Sequence, residues 1–373
     1  MLVKDSIESL KANGLYRKRL SIQARENVYL TIEDQKLVDF ISNDYLQLSQ
    51  HPDVIESVVE AVKYYGFGAS ASAMVSGFQP PHEAFENAFS AHVEQEASLL
   101  FNSGYHANLA VMQCFSDRHT TVISDKLVHA SLLDGVQISR ATLKRYRHVD
   151  YNHAREILAN LSGEKLLVTE SVFSMEGDIA DIEKLAELSK QHNASFIVDD
   201  AHGFGTLGND PSRTALARLT ITPLGKAMGG VGAVVSGCKA DIEYLVQHAR
   251  SYRYSTAMPA SSAVGLLAAL RVIQQEPERR EQLIENIKHF NYLCRAYGIV
   301  LVSNQLTPIR SILIGDNQKT EFVQAALRKK GIIVSCIRPA TVPKGTARLR
   351  ITLTCGHTRT QIAVLVRMLV ELL

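Results

Sequence analysis

The run Phe196-Ile197-Val198-Asp199-Asp200-Ala201-His202, followed about one βα unit later by Gly225-Lys226-Ala227-Met228-Gly229-Gly230, decides how this chain is read. The first segment is short, apolar at consecutive positions and ends on acids, which fits a strand buried on both faces. Working outward, residues 98–101, 121–124, 166–169, 219–222 and 233–236 repeat the short apolar run, with helical stretches between them. Such alternation predicts an α/β fold with a mostly parallel central sheet covered by helices.

Toward the N-terminus, residues 27–41 read as a hairpin around Glu33-Asp34, and helical patterns follow at about 53–64 and 81–94. Residues 1–20 read as a short amphipathic helix ending in the basic turn Arg17-Lys18-Arg19. Toward the C-terminus, a long helical region over 259–297 precedes strands at 300–302, 311–314, 332–337 and 349–353, with a helix at 319–330 and another closing the chain. The expected organisation is an N-terminal segment (1–45), a large domain (46–275) and a smaller C-terminal α/β domain (276–373).

The chain has 373 residues, 46% of them hydrophobic, and a formal net charge of +2. That balance gives no reason to expect nucleic acid or an anionic membrane as partner. Five scattered cysteines without a C-x-x-C pair argue against a metal finger or disulfide framework, and fit a reducing cytoplasm. No apolar run reaches bilayer length, and Asp5 and Glu8 argue against an organelle transit peptide.

A carboxylate ending a buried strand, then a lysine on a small-residue loop, suits pyridoxal phosphate chemistry. The Lys226 amine would form a Schiff base with the cofactor aldehyde, and Asp199 would keep the pyridine nitrogen protonated. Ser103-Gly104-Tyr105 follows one strand and opens a helix, a place where backbone N–H groups hold phosphate, although Ser-Gly is also ordinary turn punctuation. His129 and Ser174 follow other strand ends. His129 is either a ring that stacks on a flat cofactor or a structural histidine, and His202 either reaches a cofactor hydroxyl or holds Asp199. These groups gather where open α/β sheets place their ligands. Gly203-Phe204-Gly205-Thr206-Leu207-Gly208 matches a dinucleotide fingerprint, but the turn residues 209–212 follow it where a helix should open. Arg348 and Arg350 alternate on one strand face. Their forks suit a substrate carboxylate or, equally, a structural acid.

Taken together these segments resemble the α-oxoamine synthases, fold-type I pyridoxal phosphate transferases of aspartate aminotransferase-like architecture that condense an amino acid with an acyl thioester. The resemblance runs from about residue 27 to the C-terminus. It is carried by Ser42-Asn43-Asp44-Tyr45-Leu46, Phe101-Asn102-Ser103-Gly104-Tyr105, Asp125-Lys126-Leu127-Val128-His129-Ala130-Ser131, Glu170-Ser171-Val172-Phe173-Ser174-Met175, Asp199-Asp200-Ala201-His202-Gly203, Gly225-Lys226-Ala227 and Tyr254-Ser255-Thr256. It implies that Lys226 binds the cofactor and acts as base, Asp199 pairs with the ring nitrogen and His129 stacks on the ring. His202 and Ser174 would contact the ring hydroxyl, while Ser103, Gly104 and Tyr105 surround the phosphate. Asn43 and Arg350, with Arg338 as a further candidate, would hold the substrate carboxylate. The family is dimeric with active sites at the subunit boundary, and Thr256 matches a residue lent to the partner's phosphate site.

Residues 337–354 resemble most the members that join L-alanine to a pimeloyl thioester, carried by coenzyme A or acyl carrier protein, in biotin biosynthesis. Members that take glycine with acetyl- or succinyl-CoA share the same machinery. Tyr16 and Arg17 are candidates for the acyl-chain contacts. The chain departs from the family pattern where Pro223 replaces a phosphate-binding threonine, leaving Thr222 one step earlier, and where Ala69-Ser70-Ala71 replaces a glycine-rich stretch.

Overall fold

A computed structural model describes all residues except 1–2, 13–14, 209–210 and 340. The turn expected at 209–212 therefore lies partly outside the described residues. The chain forms two compact units. The smaller comprises residues 1–47, 175–177 and 278–373, and the larger comprises 48–174 and 178–277.

In chain order, β1 (Ala24–Glu26), β2 (Tyr29–Ile32) and β3 (Gln35–Asp39) belong to the smaller unit. The expected hairpin is β2–β3, turning through Glu33 and Asp34 at φ 52° and 60°. This left-handed pair is the backbone that a tight two-residue hairpin requires.

The larger unit carries β4 (Ala97–Phe101), β5 (Thr120–Asp125), β6 (Thr142–Tyr146), β7 (Glu164–Glu170), β8 (Ser195–Asp199), β9 (Leu219–Pro223) and β10 (Ala233–Gly237). They form one sheet in the order β4-β10-β9-β8-β7-β5-β6. Only β10 runs against the rest, antiparallel to both β4 and β9. The central strands are buried nearly throughout, as a sheet covered on both faces demands. Ile197 and Val198 are wholly inaccessible to solvent. Truncating Ile197 to alanine there costs about 2–5 kcal/mol.

The smaller unit closes with β11 (Ile309–Gly315), β12 (Ile332–Ile333), β13 (Ser335–Ile337) and β14 (Ala347–Thr352). β12 joins β3 in parallel, while β13 and β11 flank β14 antiparallel. The stretch expected as one strand over 332–337 thus divides at Val334 between two sheets. The long helix expected over 259–297 is two helices, Ala260–Gln275 and Glu278–Ala296, interrupted at Glu276-Pro277. Proline there removes an N–H and crowds the preceding turn. Residues 300–302 are not a strand, and Val300 is 81% exposed.

Candidate active site

In the larger unit the chemistry-bearing groups collect at the C-terminal ends of β5, β7, β8 and β9. Asp199 ends β8 and is buried. Its carboxylate accepts from Asn108 Nδ2 at 2.8 Å and from the Ala201 N–H at 3.0 Å. His129 follows β5, caps the helix Ala130–Ser139 and leaves its ring exposed. Its Nδ1 lies 2.7 Å from Ser131 Oγ.

Ser103 caps the helix Gly104–Phe115, accepting from the His106 N–H at 3.2 Å. The first amides of that helix have no intrahelical acceptor, the usual condition for anion binding. Gly104 is required here. A Cβ on it would stand 2.7 Å from Pro223 Cγ, so the helix start packs directly on the end of β9. It is therefore Pro223 that abuts this turn. Thr222, the next residue along the strand, is buried. Tyr105 is exposed and donates its hydroxyl proton to Asp134.

Lys226 sits half-buried on the loop joining β9 to β10. The loop is pinned by Gly229 N–H to Lys226 carbonyl (2.8 Å) and Gly230 N–H to Leu224 carbonyl (3.0 Å). Gly229 has φ 63°, and its backbone closes on Leu48 and Ser49 too tightly for any side chain. Small residues around the lysine are thus dictated by backbone packing.

Two buried groups beside Asp199 carried no assigned role in the sequence reading. Glu170 ends β7 in register with Asp199 on the neighbouring strand, so the two carboxyls share one face of the sheet. Burial pushes the Glu170 carboxyl well above the usual carboxylate range and Asp199 adds to this, while Lys226 and the His129 backbone N–H oppose it. Burial thus favours the protonated form of Glu170, and its Oε1 is buried with no hydrogen-bond partner. The other group is Asn108. Glu170 opens a motif already quoted and Asn108 lies three residues beyond another, but only the folded sheet brings them to Asp199.

Ser174 lies half-buried on a hairpin from Ser171 to Ala180, closed by Phe173 N–H to Asp178 carbonyl and Ala180 N–H to Ser171 carbonyl, each 2.9 Å. Its base is clamped by His148, whose Nδ1 and Nε2 each lie 3.0 Å from a carboxylate, Asp125 and Asp178 respectively. Phe173 meets the ring edge-on at 4.5 Å. Burial works against charge on this imidazole, but the two aspartates outweigh it and push His148 up to about 9. His202 is buried, and its carbonyl accepts from Thr206 Oγ1 at 2.6 Å. The glycines at 203–208 lie in turns that open no α-helix; the next described helix is the 3-10 turn Pro211–Thr214. Thr256 is exposed, and its carbonyl accepts from Asn102 Nδ2 at 2.7 Å.

The smaller unit holds the arginines. Arg350 is buried on β14 and donates to Asn43 Oδ1 (3.3 Å) and Thr352 Oγ1 (3.1 Å). Tyr45, which donates to the same Asn43 oxygen at 3.3 Å, is fully buried. Burial pushes its phenol up to about 12, against the pull of Arg350. Arg348 instead pairs with Glu176 at 2.7 Å. Of the two arginines sharing a strand face, Arg348 has a structural acid as partner, and Arg350 hydrogen-bonds to Asn43 and Thr352. Arg338 pairs with Glu321, and Arg17 donates to Thr341 Oγ1 at 2.6 Å. Burial, and then the nearby Arg17 charge, hold Arg338 below its usual value. Both arginines line a cavity of about 420 Å³ that also includes Tyr16, Ile333 and Cys336.

An amine-bearing lysine, an acid fed by two donors, an exposed flat imidazole and a capped helix start suit a flat, phosphorylated aldehyde. The orphaned Glu170 oxygen marks a polar site prepared for further contacts. The family model for aminotransferase class I and II matches residues 35–369. An 8-amino-7-oxononanoate synthase from Marinobacter nauticus is 40% identical, over 98% of this chain and 94% of its own. The solved 8-amino-7-oxononanoate synthase of Francisella tularensis aligns with a TM-score of 0.79 and 34% identity, covering 90% of this chain and 97% of that one. A serine palmitoyltransferase from S. paucimobilis, solved with bound PLP and myriocin, aligns at TM-score 0.93 and 25% identity over 99% of this chain and 96% of that one. The chain belongs to the class I and II aminotransferase family, and within it to the branch of its 8-amino-7-oxononanoate synthase relatives. Its fold is fold-type I, its class is acyltransferase, and its cofactor is pyridoxal 5'-phosphate.

Proposed function

We propose that this enzyme condenses L-alanine with a pimeloyl thioester, releasing carbon dioxide and the thiol, to give 8-amino-7-oxononanoate for biotin synthesis. The observation that carries the reading is the Asp199 end of β8 beside the Lys226 loop, in a chain 40% identical to enzymes of that name. When bound, the cofactor supplies a ring that accepts the charge developing at the alanine α-carbon.

Lys226 anchors the cofactor and, once its amine is released, removes the α-proton. Asp199 balances the ring nitrogen's charge, and His129 covers one ring face. Ser103, Gly104 and Tyr105 present the helix start to the phosphate, with Thr222 next to the Pro223 that abuts this turn. Ser174 and His202 supply polar contacts to the ring hydroxyl. Arg350, hydrogen-bonded to Asn43, takes the alanine carboxylate bidentately. The cavity carrying Arg17 and Arg338 suits a flexible chain ending in a second carboxylate, which distinguishes pimeloyl from acetyl.

The acting form is a homodimer. Tyr64, Phe67, Val75 and Tyr254 expose 82, 92, 79 and 68% of their surfaces, and the turn Ala73–Gly77 packs on Arg250–Arg253. Apolar surface so exposed calls for a protein partner, and Thr256, two residues from Tyr254, serves that partner's phosphate site. Among the described residues no helix is long and apolar enough to cross a membrane, and the cysteines are free thiols, consistent with the cytoplasm.

Incubating the purified protein with L-alanine or glycine, and with pimeloyl-CoA or the pimeloyl carrier protein, tests the reading. Thiol release and product mass with L-alanine and either pimeloyl donor are the expected result. Exclusive use of glycine would refute it.

A further inference from the structure

Asn108 is buried, and both N–H donors of its amide are spent inside the larger unit. One goes to Asp199 Oδ2 and the other to Ser131 Oγ, each at 2.8 Å. Turning the amide over would set its oxygen against the Asp199 carboxylate, which only accepts, so this hydrogen bond fixes its orientation. The cost is visible on the other side, where Asn108 Oδ1 is buried with no partner.

Ser131 is wholly buried and already accepts from Asn108, so its own proton is directed to His129 Nδ1, 2.7 Å away. The Ser131 backbone N–H points to the same nitrogen at 3.3 Å. A ring nitrogen facing two donors is the acceptor nitrogen, and the single ring proton then lies on Nε2. An imidazolium would turn Nδ1–H against the Ser131 backbone N–H, which can only donate. The chain of bonds therefore runs from His129 through Ser131 and Asn108 to Asp199 without a break.

We propose that Asn108 and Ser131 are positioning residues that join His129 and Asp199 into one hydrogen-bonded unit. Asn108 holds Asp199 as an anion for the cofactor's ring nitrogen, and Ser131 holds His129 as the neutral Nε2–H imidazole. The proposal rests on the cofactor reading of this site. Its physical sense is electrostatic. Donors aimed at Asp199 favour negative charge there, and an uncharged imidazole can lie on a protonated pyridine ring without cation–cation repulsion. One amide serves both ends because its two hydrogens diverge.

Nitrogen-15 NMR of histidine-labelled, full-length protein, as purified and again after adding pyridoxal phosphate, reads this directly. The His129 signals are assigned by their loss in His129→Gln. In the wild type, Nδ1 should show the shift of an unprotonated acceptor and Nε2 that of a protonated nitrogen. Ser131→Ala, a small truncation, should mix the two tautomers, and Ser131→Thr should restore the wild-type pattern. Asn108→Leu should weaken cofactor binding at least tenfold and shift the ring-nitrogen signal of labelled cofactor. A wild-type proton on Nδ1, or a Ser131→Ala spectrum identical to wild type, in a protein that binds the cofactor overturns this proposal alone. The expected tautomer in a protein that never binds pyridoxal phosphate overturns the cofactor reading, and the Asp199 half of the proposal with it.

Discussion

Replacing His148 with alanine should expose how much of the larger unit's stability rests on one cation. The ring lies between Asp125 and Asp178 at 3.0 Å from each, and its side chain is only 23% exposed. Its displacement from 6.5 to about 9 corresponds to about 3 kcal/mol, since tenfold in proton affinity is about 1.4 kcal/mol. The sign follows from which state holds the proton. A folded value above the unfolded one gives stability that is complete below 6.5 and lost as pH rises through 9. The wild type should therefore exceed His148→Ala by about 3 kcal/mol at pH 6, by roughly half that near pH 8, and by a few tenths above pH 9. Loss of the edge contact with Phe173 adds a pH-independent part. Urea unfolding followed by circular dichroism at each pH measures the gap through the midpoint at constant slope. A gap that stays constant from pH 6 to 10, or is absent at pH 6, would show that the charge plays no such part. Because His148 anchors the hairpin carrying Ser174, the variant should also retain cofactor less well.

Lys226→Ala should abolish turnover and the visible absorbance of the lysine-linked cofactor; activity within tenfold of wild type would remove Lys226 from its role. Glu170→Gln should keep cofactor binding and most activity, because an amide of the same shape replaces a carboxyl that burial drives toward its neutral form. Glu170→Ala should lose stability by about 2 kcal/mol through the cavity it leaves, and a severe defect in the Gln variant alone would mean that Glu170 works as an anion. Gly104→Ala should push the helix start off Pro223, costing about 1–3 kcal/mol and raising the cofactor dissociation constant. Unchanged cofactor retention in that variant would count against the helix start as the phosphate seat.

Six of the seven strands of the main sheet could be read directly because both of their faces are apolar. β6 escaped because it is an edge strand, with Thr142, Leu143, Lys144 and Arg145 all exposed, and so carries no periodic apolar signal. The division of 332–337 between two sheets escaped for a related reason: the run is apolar but for Ser335, and nothing local says which partner each half takes. In the site, Lys226, Asp199 and His129 were legible because strand ends and loops announce them. Glu170 was legible in principle, since it and Asp199 both close adjacent apolar strands. Asn108 and Ser131 were not, because an Asn one turn inside a helix means nothing until the helix packs on the sheet and its amide meets the end of β8.

The single reversed strand has a kinetic consequence. Because β10 returns beside β9, Pro223 and Ala233 stand opposite each other, and the segment bearing Lys226 is a closed bow with both feet fixed. In the role proposed for it, Lys226 on such a bow would reposition its nitrogen chiefly by turning its own four methylenes. When its nitrogen lets go of one bond it stays within reach of the next, so it acts as though held at very high local concentration.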